Sequence, residues 1–366
     1  VMADGIPMKE KVRMLSEAIS DQRKIIAEQV AGPVEEIPQA FTPYKEVLEI
    51  YSNGLELPDD VTIVWPDDNY GYLKRLSGPA ERKRSGRSGV YYHVSYLGVP
   101  HSYLWFSTTP PALMYEELKK AYDTTADRFW LLNCGDLKGC EMQVSLFMDM
   151  GYNIDAFTAE RVAEYPARWL SGFFGEAMYD DLFRNYDRFL TLSFSRKPEY
   201  MGWGYHWNHY ANGCEQLTDT DFSLVSYNEA QRRLTACSEV GRYAQRTYDS
   251  LPEASKAAFC QLVWYPFRGL ELMNRMTLGA QFNRMYARQG RASANPTADE
   301  VRSCHDSLSI ITGEYNSVRD GKWKHMMSMR QNYDRTSSYF ELPELSRVDP
   351  QGPASMSVCC LLYTSP

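Results

Sequence analysis

Three short runs of β-forming residues, Val61–Trp65, Val90–Leu97 and Phe129–Asn133, start roughly 30 to 40 residues apart, with helical patterning in the connections. That rhythm belongs to βα units and a parallel sheet. The first run, Val61-Thr62-Ile63-Val64-Trp65, lies between Asp59-Asp60 and Pro66 and shows no polar alternation. It therefore reads as a strand covered on both faces, the habit of parallel sheets. A closed barrel needs about eight strands. Three leave two options: a small open sheet, or a barrel whose first half is missing.

The surroundings are helical. Residues 8 to 30 repeat apolar positions at helical spacing through Val12, Leu15, Ile19, Ile26 and Val30, and Gly32-Pro33 ends the run. Pro43-Tyr44-Lys45 opens a second helix that continues to about Tyr51, and a third runs from Leu113 to Thr124. Beyond Ala156 the pattern predicts helices over 157–173, 176–192, 227–248, 252–265, 266–290 and 297–318, punctuated by Pro198, Pro252, Pro266 and Pro296. The fold class is thus α/β followed by all-α. The expected division is an α/β unit over 1–195, a helical domain over 196–350 and a tail over 351–366. The tail reads as non-native, with the look of translated adaptor sequence.

Composition narrows the function. A net charge of −8 argues against a general nucleic-acid binder, which needs clustered Lys and Arg, so an anionic ligand would require a local cationic pocket. No CxxC pair or Cys/His set has zinc spacing, and the eight Cys read as free buried thiols. No metal or cofactor is expected. No apolar run approaches the length of a membrane span.

In parallel α/β folds, ligands sit outside the carboxyl ends of the strands. The first strand ends in Asp67, Asp68, Asn69 and Tyr70. The second carries His93 and Ser95 and meets His101. The third ends in Asn133, then Gly135, Asp136, Lys138 and Glu141. Carboxylates, amides, an imidazole and an ammonium at consecutive tips suit acid/base hydrolysis of a hydroxyl-rich substrate. Each has a plainer reading: Asp67 and Asp68 as helix caps, His93 as a core residue, Glu141 as a complement to its helix dipole.

Two further clusters stand out. Arg82-Lys83-Arg84-Ser85-Gly86-Arg87-Ser88-Gly89 precedes a strand, so it is no phosphate loop. It is either a cationic patch for an anionic sugar or a solvated loop. Trp203, His206, Trp207 and His209 lie at helical spacing, with no third metal ligand nearby. They read as packing at the domain junction or as part of a substrate groove.

The stretches Trp65-Pro66-Asp67-Asp68-Asn69-Tyr70-Gly71-Tyr72, Gly89–Gly98, Tyr103-Leu104-Trp105 and Asn133-Cys134-Gly135-Asp136-Leu137-Lys138 resemble glycoside hydrolase family 115, the xylan α-1,2-glucuronidases. Arg196-Lys197-Pro198-Glu199 and Gly321-Lys322-Trp323-Lys324 are similar too, and the resemblance covers roughly residues 10 to 345. It implies the C-terminal part of a (β/α)8 barrel followed by a helical-bundle domain, within a longer enzyme. It implies inverting removal of α-1,2-linked (4-O-methyl)glucuronic acid from glucuronoxylan or its oligosaccharides. Glu141 is the implied acid and Asp67 or Asp68 its partner, with Asn69, Tyr70, Tyr92, His93, Trp105, Asn133, Asp136 and Lys138 contacting substrate. Relatives suggest a secreted or periplasmic enzyme and allow a homodimer at full length. Where relatives often carry Asp, this chain has Ser102, and Cys134 replaces a usual Val. An inactive carbohydrate-binding fragment of the same fold is the alternative, and the fragment alone is expected to be inactive. A helical interaction protein, which would not bring the strand tips together, is the third reading.

Overall fold

The structure is a computed structural model that describes residues 5–98, 101–202, 218–328 and 340–349. The Trp203–His209 cluster, Cys214, and the tail with Cys359 and Cys360 lie outside the described residues.

Four strands form one parallel sheet in the order β1 (Ala40–Phe41), β2 (Thr62–Pro66), β3 (Ser88–His93), β4 (Phe129–Asn133). Strands that add in chain order, all parallel, with helices on one face, form a segment of a (β/α)8 barrel. The two-residue strand β1 was not anticipated, because two residues have no period to read. β3 begins at Ser88 because Gly89 allows close approach: a Cβ there would sit 1.9 Å from the Phe129 carbonyl oxygen. Beyond His93 the chain leaves the sheet, and Tyr96 instead pairs antiparallel with Tyr103.

Register and alternation sort the side chains. Val90 and Tyr92 pack with Trp130 and Leu132 against α3 (Pro111–Asp123) and α4 (Glu141–Tyr152). Tyr91 and His93, in register with Leu131 and Asn133, therefore share the opposite, inner face. β2 and β3 are buried, whereas β4 is half-exposed, with Phe129 43% and Leu131 41% accessible. β4 is thus the edge of the described sheet.

α1 (Met8–Gln29) and α2 (Glu46–Ser52) precede β2. The later helices are α5 (Ala159–Phe174), α6 (Tyr179–Ser195), α7 (Glu229–Ser250), α8 (Glu253–Phe259), α9 (Tyr265–Arg288) and α10 (Ala294–Gly321). Pro266 does not separate two helices. It occupies the first turn of α9, where its missing N–H is tolerated, and a π-helical turn over Cys260–Trp264 joins α8 to α9. α9 is buried nearly all round and anchors a second core that takes in α5, α6, α7 and α10. Trp105 and Phe106, from the loop after β3, also belong to this core. Each large apolar side chain buried there contributes about 1.5–3 kcal/mol. Arg233 of α7 binds the Leu192 and Arg196 carbonyls and the Asn274 side chain, tying the end of α6 to α9.

Candidate active site

Because the strands are parallel, the loops after all four open on one edge of the sheet. Asp67, directly after β2, is buried and accepts four hydrogen bonds. Its Oδ1 takes the Asn69 N–H at 3.0 Å and the His93 ring at 2.6 Å, and its Oδ2 takes the Gly71 and His93 N–H groups at 3.1 and 3.0 Å. No helix follows, so Asp67 is not a helix cap. It folds the loop back and holds the imidazole. With Nδ1–H given to the carboxylate, Nε2 remains as the polar atom of the His93 ring.

Asp68 plays a parallel part nearer solvent. Its Oδ1 accepts from Tyr70 and Tyr72 N–H, and its Oδ2 lies 3.4 Å from the exposed Lys74. Asn69, at φ 70°, is clamped twice: Tyr44 donates to its side-chain oxygen at 2.6 Å and Tyr103 to its carbonyl at 2.5 Å. The rings of Tyr91, Tyr96 and Tyr44 lie 4.6, 5.7 and 6.1 Å from the imidazole. Asn133 donates to the Tyr91 hydroxyl at 2.5 Å. Together these residues form a packed aromatic cluster at the strand tips, the basin, with amide and imidazole groups within it. Burial, together with the Tyr96 and Tyr91 phenols and Asp67, raises Tyr44 above the ordinary phenol range, so its hydroxyl stays a proton donor.

The tip of β1 adds Tyr44, Lys45 and Glu46, which lie at the start of α2, where the sequence predicts a helix opening. Lys45 sits at φ 54°, ψ −123°, with its Nζ 5.2 Å from the Tyr44 ring and 5.7 Å from the Tyr96 ring. Glu46 begins α2 and is exposed, and among the described residues no hydrogen bond or ion pair engages its carboxylate. The one available signal was Pro43, a strand-stopping residue just after Ala40-Phe41.

A clasp from residues 197–200 holds the loop after β3. Glu199 Oε1 accepts the Trp105 N–H at 2.9 Å, its carbonyl meets His101 Nε2 at 2.9 Å, and Lys197 donates to Thr108 at 2.7 Å while lying over the Tyr103 ring. The Tyr200 hydroxyl bonds the His101 carbonyl and the Tyr70 hydroxyl. Burial raises the Glu199 carboxyl above its usual range and lowers the Lys197 amine to about 8. Ser102 is buried and accepts the Gly98 N–H.

Other predicted site residues lie elsewhere. Glu141 caps its own turn through the Gly139 N–H at 2.7 Å, lies 3.0 Å from Lys138, and lines a small cavity with Gln261, Tyr186 and Met327. Lys138 also reaches Gln261 and covers Trp323. Among the described residues, no hydrogen bond or ion pair joins either of them to Tyr44, Asp67, Asn69 or His93. Trp105 is core and bonds Tyr265. Tyr92 faces the helices, and Asp136 is exposed. The basic loop before β3 lies at the opposite end of the sheet, where Arg84 binds the Leu57, Pro58 and Val61 carbonyls and Arg87 pairs with Asp127.

Among the described residues no group of three His, Cys, Asp or Glu is placed to hold a metal ion, and no helix is long and apolar enough to cross a membrane. The basin combines apolar rings, hydroxyls, amides and a cation at one place.

Residues 3–200 match the model of glycosyl hydrolase family 115. A solved structure of a family GH115 4-O-methyl-α-glucuronidase, described as having specificity for decorated arabinogalactans, superposes with a TM-score of 0.83 at 34% identity over 98% of this chain. The chain spans 45% of that protein's length. No curated protein sequence matches it.

Proposed function

The chain belongs to glycosyl hydrolase family 115, and from that premise we propose that the strand-tip basin binds a glucuronic acid unit whose α-linkage the full-length polypeptide hydrolyses. The observation that supports this most is the meeting of Tyr44, Asn69 and His93 at three different strand ends. The proposed substrate is α-1,2-linked (4-O-methyl)glucuronic acid on glucuronoxylan. Decorated arabinogalactan, the specificity ascribed to the similar structure, is the rival glycan.

Inverting hydrolysis needs one carboxyl to protonate the leaving oxygen and another to activate water, about 6.5–9.5 Å apart. Glu46 is our general acid, because its carboxylate is unengaged among the described residues. Asp68 is our base, the remaining tip carboxylate with solvent access. Asp67 acts through His93 as a positioning residue. Glu141, the acid implied by the family resemblance, is given the role of seating α4 against the helical domain through Lys138 and Gln261.

The test is release of glucuronic acid by a full-length polypeptide containing this chain. Release from glucuronoxylan supports the reading, and release from arabinogalactan alone corrects the glycan. Absence of release from both overturns it. Ser102 and the open four-stranded sheet favour a second reading, a fragment that binds sugar without turnover. Binding without release would establish that one.

A further inference from the structure

A uronic acid differs from a neutral sugar by its carboxylate, so the basin needs a cation. The described cations near the strand tips are engaged, with one exception. Lys138 pairs with Glu141, Lys74 leans on Asp68, and Lys197 is buried on Thr108 and the Tyr103 ring. Lys45 is exposed, and among the described residues no carboxylate pairs with it. Its ammonium stands over Tyr44 and Tyr96, two of the rings that surround His93.

The backbone gives a second, independent indication. At φ 54°, ψ −123°, Lys45 occupies a conformation that suits glycine and strains any residue with a Cβ. A chain shaped for stability alone would carry glycine there. A long cationic side chain on strained backbone, beside an aromatic basin, points to work done by the ammonium.

We propose that Lys45 is the specificity determinant that binds the ligand's carboxylate and so selects a uronic acid over the corresponding neutral sugar. This rests on the glucuronic acid reading above for the identity of the ligand. The ammonium would donate to the carboxylate while the pyranose lies against the tyrosine rings, a charge-assisted contact among the strongest single contributions available to a sugar site.

The experiment compares methyl α-D-glucuronoside with methyl α-D-glucopyranoside by calorimetric titration of the 366-residue chain and of K45Q, K45R and K45G, with melting temperatures in parallel. The parent should prefer the glucuronoside by about tenfold or more, the size of one charge-assisted bond. K45R should keep the preference. K45Q should lose it through weaker binding of the glucuronoside. K45G should lose it and melt higher, since relief of strain and loss of selectivity go together only if the strained residue serves the ligand. A K45Q variant that still prefers the glucuronoside overturns the role of Lys45 and leaves the uronic acid reading intact. A parent chain that binds neither glycoside overturns both.

Discussion

His93 Nδ1 lies 2.6 Å from Asp67 Oδ1, with both side chains excluded from solvent and the Asp67 carboxylate also accepting three backbone N–H groups. The loop after β2 and the end of β3 are therefore one unit. Removing the carboxylate strands an imidazole and three amides together. Asp67→Ala should lower unfolding stability by about 3 kcal/mol or more. Asp67→Asn should cost less, because the amide oxygen keeps part of the set. Urea denaturation of the two variants checks this, and a loss below about 1 kcal/mol for Asp67→Ala would contradict the arrangement.

Glu46 and Glu141 should separate cleanly. Glu46→Gln removes an exposed carboxylate without partners among the described residues, so melting should not change while glucuronic acid release by the full-length polypeptide falls by about 10² or more. Glu141→Gln breaks a contact with Lys138 in a partly buried junction and should lower stability by about 1 kcal/mol. Turnover and melting measured on both variants decide between the two assignments. A Glu46→Gln variant with parental turnover sinks the first.

The clasp makes stability depend on pH in two windows. Lys197, lowered to about 8 from an ordinary 10.5, is neutral in the folded chain above about pH 8, where the unfolded chain still binds the proton. Stability contributed by this group therefore rises between about pH 8 and 10.5, by up to about 1.4 kcal/mol per pH unit. Glu199 is raised by burial, so its folded form keeps a proton that the unfolded form has released. Its contribution is full below the ordinary carboxylate value and is lost as pH rises through the raised value. Melting curves across pH should show both slopes in the parent. The alkaline one should flatten in Lys197→Met and the acidic one in Glu199→Gln. Parental slopes in either variant would remove that group from the account.

Gly89 lets β3 and β4 touch. A Cβ there would meet the Phe129 carbonyl oxygen at 1.9 Å, and backbone cannot yield as a side-chain tip can. Gly89→Ala should cost about 3 kcal/mol and detach the edge strand. Amide exchange should then become faster at Leu131 and Asn133, whose strand pairs with β3, than in β2. Unchanged protection in β4 would contradict the register.

How much of this was legible differs by element. Phe129–Asn133 matched its strand residue for residue, because a short apolar run, Phe129-Trp130-Leu131-Leu132, sits between helical segments and ends at Asn133. β1 has two residues and no period to read, so the helix predicted to open at Pro43-Tyr44-Lys45 is present as α2, from Glu46, while its place at a strand tip is not legible in the sequence. Pro266 reads as a break in any sequence, yet here a π turn absorbs it. The Asp67–Tyr70, His93 and Asn133 tips were legible from strand ends alone. The engagement of Glu141 by the Gly139 N–H and by Lys138 was not. Nor was the course of the loop carrying Trp105, which contacts to Glu199, 94 residues on, and Tyr265, 160 residues on, hold in place. No local pattern carries information over such distances.

The most direct test of the account is a crystal structure of the chain with glucuronic acid bound. The account predicts the pyranose against Tyr44 and Tyr91, its carboxylate within hydrogen-bond reach of Lys45 Nζ, and a ring hydroxyl near His93 Nε2. A sugar found only elsewhere, for instance in the groove of about 370 Å³ lined by Arg242, Phe282 and Tyr286, would contradict it, as would no bound sugar at saturating concentration.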